Sequence, residues 1–328
     1  TQVEEIKEEG MRQNGFAPVV ICQLTHSGRY AKPEGVPAPL IAYNNPLFEK
    51  EQPIDKSRIV SDDKLKRLEE AFGATALLAQ EAGFDGADIK CCHRYLLSEM
   101  LSAFTRPGDY GGAFENRTRL LRNAIFAAKG ATSGEFLITS RVNLYDGFAY
   151  PYGFGVSPTG GLMPDLTEPK ALVTLLHEEL RLPMLDFTIG NPYVNPHVNR
   201  PYDGGPYVPD EHPLEGVARM LGCIGQLKKA FPSLCVIGSG FSYLRQFSPY
   251  LAAGAVEQSV CDLAGFGRMA FAYPDFPRDT LYGEGFNARK TCIACGKCSA
   301  LMRAGTVAGC VVRDGETYLP FYQAHCCV

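Results

Sequence analysis

Short apolar runs alternate along the chain with longer segments of helical period. Between the runs, apolar residues recur every three to four positions, which is the spacing of an amphipathic helix. The runs lie at Val19–Leu24, Gly86–Lys90, Phe136–Asn143, Met184–Ile189, Leu234–Gly238 and Val260–Phe266. The predicted helices are Thr1–Asn14, Asp63–Ala82, Arg117–Gly130, Pro169–Leu180, Pro213–Phe231 and Tyr243–Ala253. Strands that are apolar throughout and separated by helices predict a parallel sheet covered on both faces, hence an α/β fold.

Two architectures fit this alternation, an open doubly wound sheet and a closed TIM (β/α)8 barrel. Polar or glycine-rich residues follow all six runs, which favours the barrel, because a barrel assembles its site from every strand end. A doubly wound sheet would concentrate them at one switch point. A barrel needs eight strands and the chain starts inside a predicted helix, so we expect this numbering to lack the first two strands.

Composition narrows the class of protein. The chain has 328 residues with 45% hydrophobic content, which is enough for one large domain. A net charge of −4 without a basic run argues against a nucleic-acid partner. Its twelve cysteines are too sparse for a disulfide scaffold, and neither a long apolar run nor a signal peptide stands out. We therefore expect a cytoplasmic protein without a membrane segment. The oligomeric state stays open, with a homo-oligomer among the alternatives.

Four cysteines near the end of the chain have the spacing of a metal site. Cys292, Cys295 and Cys298 are separated by two residues each, and Cys310 follows after eleven more. Four thiolates suit a 4Fe–4S cluster or a structural zinc ion, and a close trio with one distant cysteine is more typical of the cluster. A cluster would imply electron transfer. We therefore divide the chain into a barrel at 1–285 and a cysteine-rich extension at 286–328.

A family resemblance joins these features. The block Gly83–Ser102, followed by Asp109–Arg117, resembles the signature of the old yellow enzyme family (NADH:flavin oxidoreductases). Gln23–Arg29 is similar to that family's glutamine-bearing strand end. The cysteine quartet is similar to that of the iron–sulfur branch, which includes 2,4-dienoyl-CoA reductase and trimethylamine dehydrogenase. The resemblance implies an oxidoreductase with FMN as cofactor.

Two neighbouring loops have the composition of a phosphate site. Glycine lets the backbone approach closely, and arginine binds phosphate with two parallel hydrogen bonds. The loops contain Gly238, Ser239 and Gly240 after one strand, and Gly267 and Arg268 after the next. The resemblance implies that this phosphate belongs to FMN. It further implies that Gln23 pairs with the pyrimidine edge of the flavin and that Arg141 lies near its N1–C2 edge. His26 and Arg29 are less well defined.

Lys90, His93 and Tyr95 are the candidate catalytic residues. In the family, two side chains three residues apart bind the substrate oxygen, and a tyrosine two positions later delivers a proton. His93 and Tyr95 keep those places, whereas Lys90 stands where a histidine is expected. Lysine donates hydrogen bonds and adds a positive charge, which would favour an anionic or strongly polarised oxygen. It could alternatively act as a base of lowered pKa.

These observations predict reduction of an activated C=C bond of an enoate or enone, with the cluster relaying electrons. The electron donor would be NAD(P)H or an electron-transfer protein. Two alternatives stay open: an amine dehydrogenase of the trimethylamine dehydrogenase type, and a non-catalytic barrel with a structural zinc. The segment Asp109–Arg117 is interpreted as architecture. The loop Asn191–Asp210, with Tyr193, His197 and Tyr202, is a candidate substrate lid.

Overall fold

The computed structural model describes residues 1–204, 207–283 and 285–327. The chain divides into two compact units. The first consists of Thr1–Asn191 with Ala230–Val236, and the second of Pro192–Lys229 with Ile237–Val328. These units reflect packing alone. The predicted division at residue 285, which concerns cofactor binding, stays a prediction.

Parallel strands form the centre of the first unit. They are β1 (Ile21–Leu24), β2 (Gly86–Ile89), β3 (Leu137–Asn143) and β4 (Met184–Thr188). Gln23 lies opposite Asp88 on β2, and Arg141 lies opposite Asp186 on β4. The Cys235 amide at the start of β5 (Cys235–Gly238) donates to the Pro183 carbonyl at 3.1 Å. Each strand of the sheet neighbours the strand next to it in the sequence.

Helices of the first unit begin and end close to the predicted residues. The Ser61 side chain accepts the Lys64 amide, and this N-cap starts the helix Asp62–Glu81. A Cβ added at Gly73 would lie 3.0 Å from the Ala127 carbonyl oxygen, so glycine allows this helix to pack closely on Arg119–Ala131. The helices are α1 Gln2–Asn14, α2 Pro46–Glu49, α3 Asp62–Glu81, α4 Leu96–Leu101, α5 Phe114–Arg117, α6 Arg119–Ala131 and α7 Thr167–Val173.

In the second unit, β5 pairs in parallel with β6 (Leu263–Ala264), where Ile237 lies opposite Leu263. An apolar cluster of Met269, Tyr273 and Cys292 forms part of its core. The helices are α8 Pro196–Asn199, α9 Pro213–Ala230, which ends in the first unit, α10 Ser248–Glu257, α11 Arg268–Ala272, α12 Phe276–Leu281, α13 Lys297–Arg303 and α14 Gly315–Cys326.

Three predicted elements differ from the observed ones in detail. The predicted helix Pro169–Leu180 is α7 followed by a π-helical turn at Thr174–Glu179. The predicted helix Tyr243–Ala253 begins as 3-10 turns at Phe241–Phe247, where Arg245 has a φ of 52°, before α10 continues it. The sixth run contributes only the two residues of β6. Among the described residues, no helix is long and apolar enough to cross a membrane.

Candidate active site and cysteine cavity

The loop after β2 holds the three candidate catalytic residues. Lys90 follows the strand directly, and its amide donates to the Leu24 carbonyl of β1 at 3.0 Å. The Lys90 Nζ lies 3.9 Å from the centre of the Tyr95 ring. Burial lowers the pKa of the Lys90 ammonium below its usual value, and the positive charge of Arg141 acts in the same direction. The structure therefore brings Lys90 and Tyr95 into direct contact.

A strained turn separates these two residues. His93 and Arg94 both have left-handed backbone, with φ of 63° and 59°. For residues other than glycine this conformation costs roughly 1–3 kcal/mol each, and surrounding contacts must hold it. The turn is closed by the Tyr95 amide, which donates to the Cys92 carbonyl at 3.3 Å, and Tyr95 is the N-cap residue of α4. His93 therefore lies on the same tight turn as Lys90 and Tyr95.

Arg94 is the residue that anchors this turn. It is fully buried, and its guanidinium donates to the Asp146 carboxylate at 2.8 Å and to the Tyr152 carbonyl at 3.1 Å. It also donates to the hydroxyls of Tyr43 and Ser102. An ion pair removed from water in this way is tolerated only where charge and hydrogen bonds compensate the lost hydration, and the two Nη atoms of Arg94 make these contacts. Arg94 therefore holds the turn that bears the candidate catalytic residues in place through buried contacts.

Tyr30 extends the cluster on the side of β1. Its ring centre lies 5.9 Å from that of Tyr95. Its hydroxyl accepts a hydrogen bond from the Asn191 amide at 3.1 Å, and burial raises the pKa of Tyr30 to about 12. Tyr30 keeps its proton at neutral pH and adds a polar group beside Tyr95. Tyr30 is not among the site residues predicted from the sequence, although it directly follows the glutamine-bearing segment Gln23–Arg29.

Gln23 and Arg141 are the predicted flavin contacts of the first unit, and each lies against an aspartate carboxylate. Gln23 donates to the Asp88 Oδ1 at 3.1 Å, and the Arg141 Nε lies 3.1 Å from the Asp186 Oδ2. Burial, together with the charge of Asp186, raises the pKa of Asp88 to about 6. Burial, the largest single influence, would lower the pKa of Arg141, but the charges of Asp186, Cys92 and Asp88 together outweigh burial and raise the pKa.

Asp88 and Asp186 are thus site residues that sequence reasoning missed. The available signal was an acidic residue inside each of two otherwise apolar strands, Gly86–Ile89 and Met184–Thr188. Charged residues are rarely buried in a strand without a partner. Asp88 also shares its strand face with Lys90, two positions later.

His26 and Arg29 have local partners. The His26 Nδ1 accepts the Gly28 amide at 3.0 Å. The Arg29 Nε donates to the fully buried Glu99 at 2.8 Å, and Arg29 also pairs with Glu49. Arg29 therefore ties the first strand end to α4.

The segment Asp109–Arg117 makes contacts that agree with its interpretation as architecture. Arg117 is buried and donates to the Gly112 carbonyl at 2.9 Å and to the Glu168 carboxylate at 3.1 Å. Its guanidinium also lies 3.7 Å from the centre of the Phe104 ring. These contacts pin the segment to α7 and to the residues just after α4.

In the second unit, the two predicted phosphate loops follow paired strands. The Gly265 amide donates to the Gly238 carbonyl at 2.7 Å, so the loops start side by side. A Cβ at Gly238 would lie 2.9 Å from the Cys261 sulfur, and Gly240 has a φ of 101°. A side chain would be costly at both positions. Ser239 is buried, and Arg268 starts α11 directly after Gly267.

The predicted lid residues are linked to one another. The His197 Nδ1 lies 2.5 Å from the Tyr207 hydroxyl, and the rings of Tyr202 and Tyr207 are 6.1 Å apart. Tyr202 is buried, whereas Tyr193 is exposed. Residues 205 and 206 of the predicted lid lie outside the described residues. A substrate contact for these side chains stays a prediction.

All four cysteines of the quartet line one cavity in the second unit. Cys292 is buried and Cys295 is exposed. The Ala294 amide donates to the Cys292 sulfur at 3.4 Å. Within the described residues, no three His, Cys, Asp or Glu side chains are close enough to coordinate a metal ion. The soft donors and the amide directed at sulfur suit a metal–thiolate centre, but the thiols stand around a shared cavity rather than in a coordination geometry.

The fold and the strand-end residues define a class, that of parallel α/β proteins, and the candidate functional side chains lie at the ends of the strands. Residues 3–154 match the profile of the NADH:flavin oxidoreductase / NADH oxidase family. NADPH dehydrogenase of Clostridium acetobutylicum is 33% identical over 158 residues, which are 48% of this chain and 42% of that protein. NADPH dehydrogenase of Bacillus subtilis is 34% identical over 139 residues, 41% of this chain and 37% of that protein. The matches thus span about two fifths of the length of these curated relatives.

Solved structures share the fold at low sequence identity. The complex of 2-naphthoyl-CoA reductase with 2-naphthoyl-CoA has a TM-score of 0.71 at 19% identity, covering 94% of this chain and 45% of that one. Histamine dehydrogenase from Rhizobium sp. 4-9 has a TM-score of 0.66 at 20% identity, covering 94% and 41%. The old yellow enzyme homologue from Zymomonas mobilis has a TM-score of 0.59 at 21% identity, covering 87% and 73%. Residues 3–154 thus match the NADH:flavin oxidoreductase / NADH oxidase family, in agreement with the resemblance of the sequence to old yellow enzymes.

Proposed function

We propose that this chain is an FMN-dependent oxidoreductase that reduces an activated C=C bond. The observation that carries the proposal is the contact of the Lys90 Nζ with the Tyr95 ring, 3.9 Å from its centre, on the turn that also bears His93. An oxygen-binding cation, a second donor and a proton donor then lie within one turn of chain.

The roles of these side chains follow from their chemistry. Lys90 and His93 donate hydrogen bonds to the carbonyl or carboxylate oxygen of the substrate and stabilise the negative charge that develops there. Tyr95 holds the proton that is delivered to one carbon of the double bond. Bound FMN supplies the hydride for the other carbon, and NAD(P)H or an electron-transfer protein supplies the two electrons. The product carries one more C–H bond at each carbon.

The FMN contacts predicted from the sequence are proposed for each unit by itself. In the first unit, the Gln23 amide offers a donor and an acceptor, and Arg141 offers a positive charge. In the second, Gly238, Ser239 and Gly240 with Gly267 and Arg268 offer backbone amides and a guanidinium for the phosphate. The restricted space at Gly238 and the left-handed φ of Gly240 support this assignment, because both keep side chains away from the loop.

Lys90 favours this reaction over oxidation of an amine. Two structural neighbours are an amine oxidase and histamine dehydrogenase, so the fold alone does not separate the two chemistries. Most amines are cations at neutral pH. The positive charge of the Lys90 ammonium would repel such a substrate in a partly buried site. An enoate would be attracted. The four cysteines are proposed to hold a 4Fe–4S cluster, which supplies single-electron transfer when bound.

The test is the visible absorption spectrum of anaerobically purified protein, followed by release of the flavin and a substrate screen. We expect released FMN, iron and sulfide, and faster turnover of cinnamate-type enoates than of methylated amines. Released FAD, or the absence of any flavin, would refute the FMN assignment. If the protein turned over only amines, the proposed C=C reduction would be wrong and amine oxidation would take its place as the proposed reaction. A colourless protein with one bound zinc would support the non-catalytic alternative.

A further inference from the structure

The cavity of the four cysteines is bordered by positive charge. Its lining includes Arg268, Lys297 and Arg313, and it contains no aspartate or glutamate among the described residues. The Arg313 Nε donates to the Thr291 carbonyl at 2.9 Å, which holds this side chain against the loop that carries Cys292.

Two further arginines lie next to the same site. The Arg200 Nη1 donates to the Ser299 hydroxyl at 2.5 Å, and Ser299 follows Cys298 in α13. Arg303 lies in the last turn of the same helix and donates to the Pro192 carbonyl at 3.3 Å. Arg200 is half-buried. Hydrogen bonds thus hold the Arg200 guanidinium near the start of α13 and the Arg303 guanidinium near its end.

These arginines repel one another. Burial, followed by the charges of Arg268 and Arg303, lowers the pKa of Arg200 to about 10, whereas the Cys298 thiol acts in the opposite direction. The ion pairs of this unit involve other residues, and within its described part none includes Arg200, Arg268 or Arg303. Like charges gathered without a carboxylate are costly unless an anion compensates them.

We propose that Arg200 and Arg303 compensate the negative charge of the metal–thiolate centre on Cys292, Cys295, Cys298 and Cys310. This inference rests on the proposed cluster. Four thiolates carry more negative charge than the cluster core balances, and reduction adds one electron. A nearby cation stabilises the reduced form more than the oxidised one, and so raises the reduction potential. Arg200 is a positioning residue in this sense, since it reaches the site through Ser299.

The test uses the full chain, reconstituted anaerobically with iron and sulfide, in a redox titration followed by electron paramagnetic resonance. We expect Arg200→Gln to raise the ratio of oxidised to reduced cluster about tenfold at a given potential. This corresponds to a reduction potential lowered by about 59 mV for one electron. Arg200→Lys keeps the charge and should remain close to the parent protein. Arg278→Gln is the matched control, because this exposed arginine already pairs with Asp275 and Asp279. Arg303→Gln should shift the potential in the same direction as Arg200→Gln.

An unchanged potential in both Arg200→Gln and Arg303→Gln, with the cluster intact, would overturn the inference and leave the proposed function standing. Lack of iron and sulfide in the parent protein would overturn both. If Arg200→Gln fails to fold, the exposed Arg303→Gln decides the question. Inorganic phosphate tests the competing idea of an external anion. Phosphate-dependent stabilisation that is lost in Arg200→Gln, without any change in potential, would also overturn the inference.

Discussion

The Lys90 ammonium lies against the face of the Tyr95 ring, with Nζ 3.9 Å from the ring centre. Such a contact is favourable by roughly 0.5–2 kcal/mol, more when the pair is shielded from water. This contact places the Lys90 ammonium beside Tyr95, the residue proposed to deliver the proton. Lys90 also contributes a charge that a histidine at this position would carry only in part near neutral pH.

Substitution of Lys90 should separate anionic from neutral substrates. We expect Lys90→Met to reduce kcat/KM for an enoate by about tenfold to a hundredfold, the value of a hydrogen bond to a charged group. A neutral enone should lose less, and Lys90→His should favour enones. His93→Ala should impair both classes alike. Steady-state kinetics on a matched enoate and enone decide this, with the exposed Lys66→Met as control. Equal losses on Lys90→Met would show that the lysine is structural.

The raised pKa of Asp88 predicts a pH-dependent stability. Its carboxyl has a pKa of about 6 in the folded protein against 3.8 as the reference value. Its protonated form therefore contributes stability that is fully present below about pH 4 and is lost as pH rises through 6. The loss is about 3 kcal/mol by pH 7.

Asp88→Asn keeps an acceptor for Gln23 and removes the charge. We expect the variant to be more stable than the parent protein at pH 7, and equally stable near pH 4. Urea unfolding between pH 4 and 7 measures the difference, with the exposed Glu135→Gln as control. A parallel pH profile for Asp88→Asn and the parent protein would mean that Asp88 titrates normally.

Loss of the buried partner of Asp146 should destabilise the catalytic turn. Arg94→Met leaves the Asp146 carboxylate buried without its cation, which typically costs about 3–5 kcal/mol. Arg94→Met with Asp146→Asn should recover part of this loss, because the unpaired charge is then removed. The free energy of urea unfolding is the measurement. Arg122→Met, a half-buried arginine of α6, should change it by less than about 0.5 kcal/mol. A similar small change for Arg94→Met would show that the pair is dispensable.

The cysteine quartet should be required for iron but not for flavin. We expect Cys295→Ala to bind at least about tenfold less iron and sulfide, because one iron would lose its thiolate ligand. The flavin should remain at least in part, since its proposed phosphate loops lie on other elements. Elemental analysis, sulfide assay and flavin fluorescence give these values, with Cys327→Ala as the control thiol. One zinc per chain without iron or sulfide in the parent protein would contradict the prediction.

Much of the fold follows from local sequence. The six predicted runs contain all six strands, and the predicted helices end within a few residues of α1, α3, α6 and α9. Apolar periodicity and caps such as Ser61 act over one or two turns, so they can be recognised without knowing the tertiary structure. The elements that deviate, such as the π-helical turn at Thr174–Glu179, depend on packing against neighbouring elements.

The sequence by itself determined the order of strands and helices, the family match of residues 3–154 and the types of donor at the candidate sites. Only the tertiary structure decided what those donors contact. It paired Arg94 with Asp146 across 52 residues and Gln23 with Asp88 across 65. It also brought Arg200 to within hydrogen-bonding distance of Ser299, 99 residues away. Charges so distant along the chain meet only after strands and helices have packed, and burial then fixes how strongly they interact.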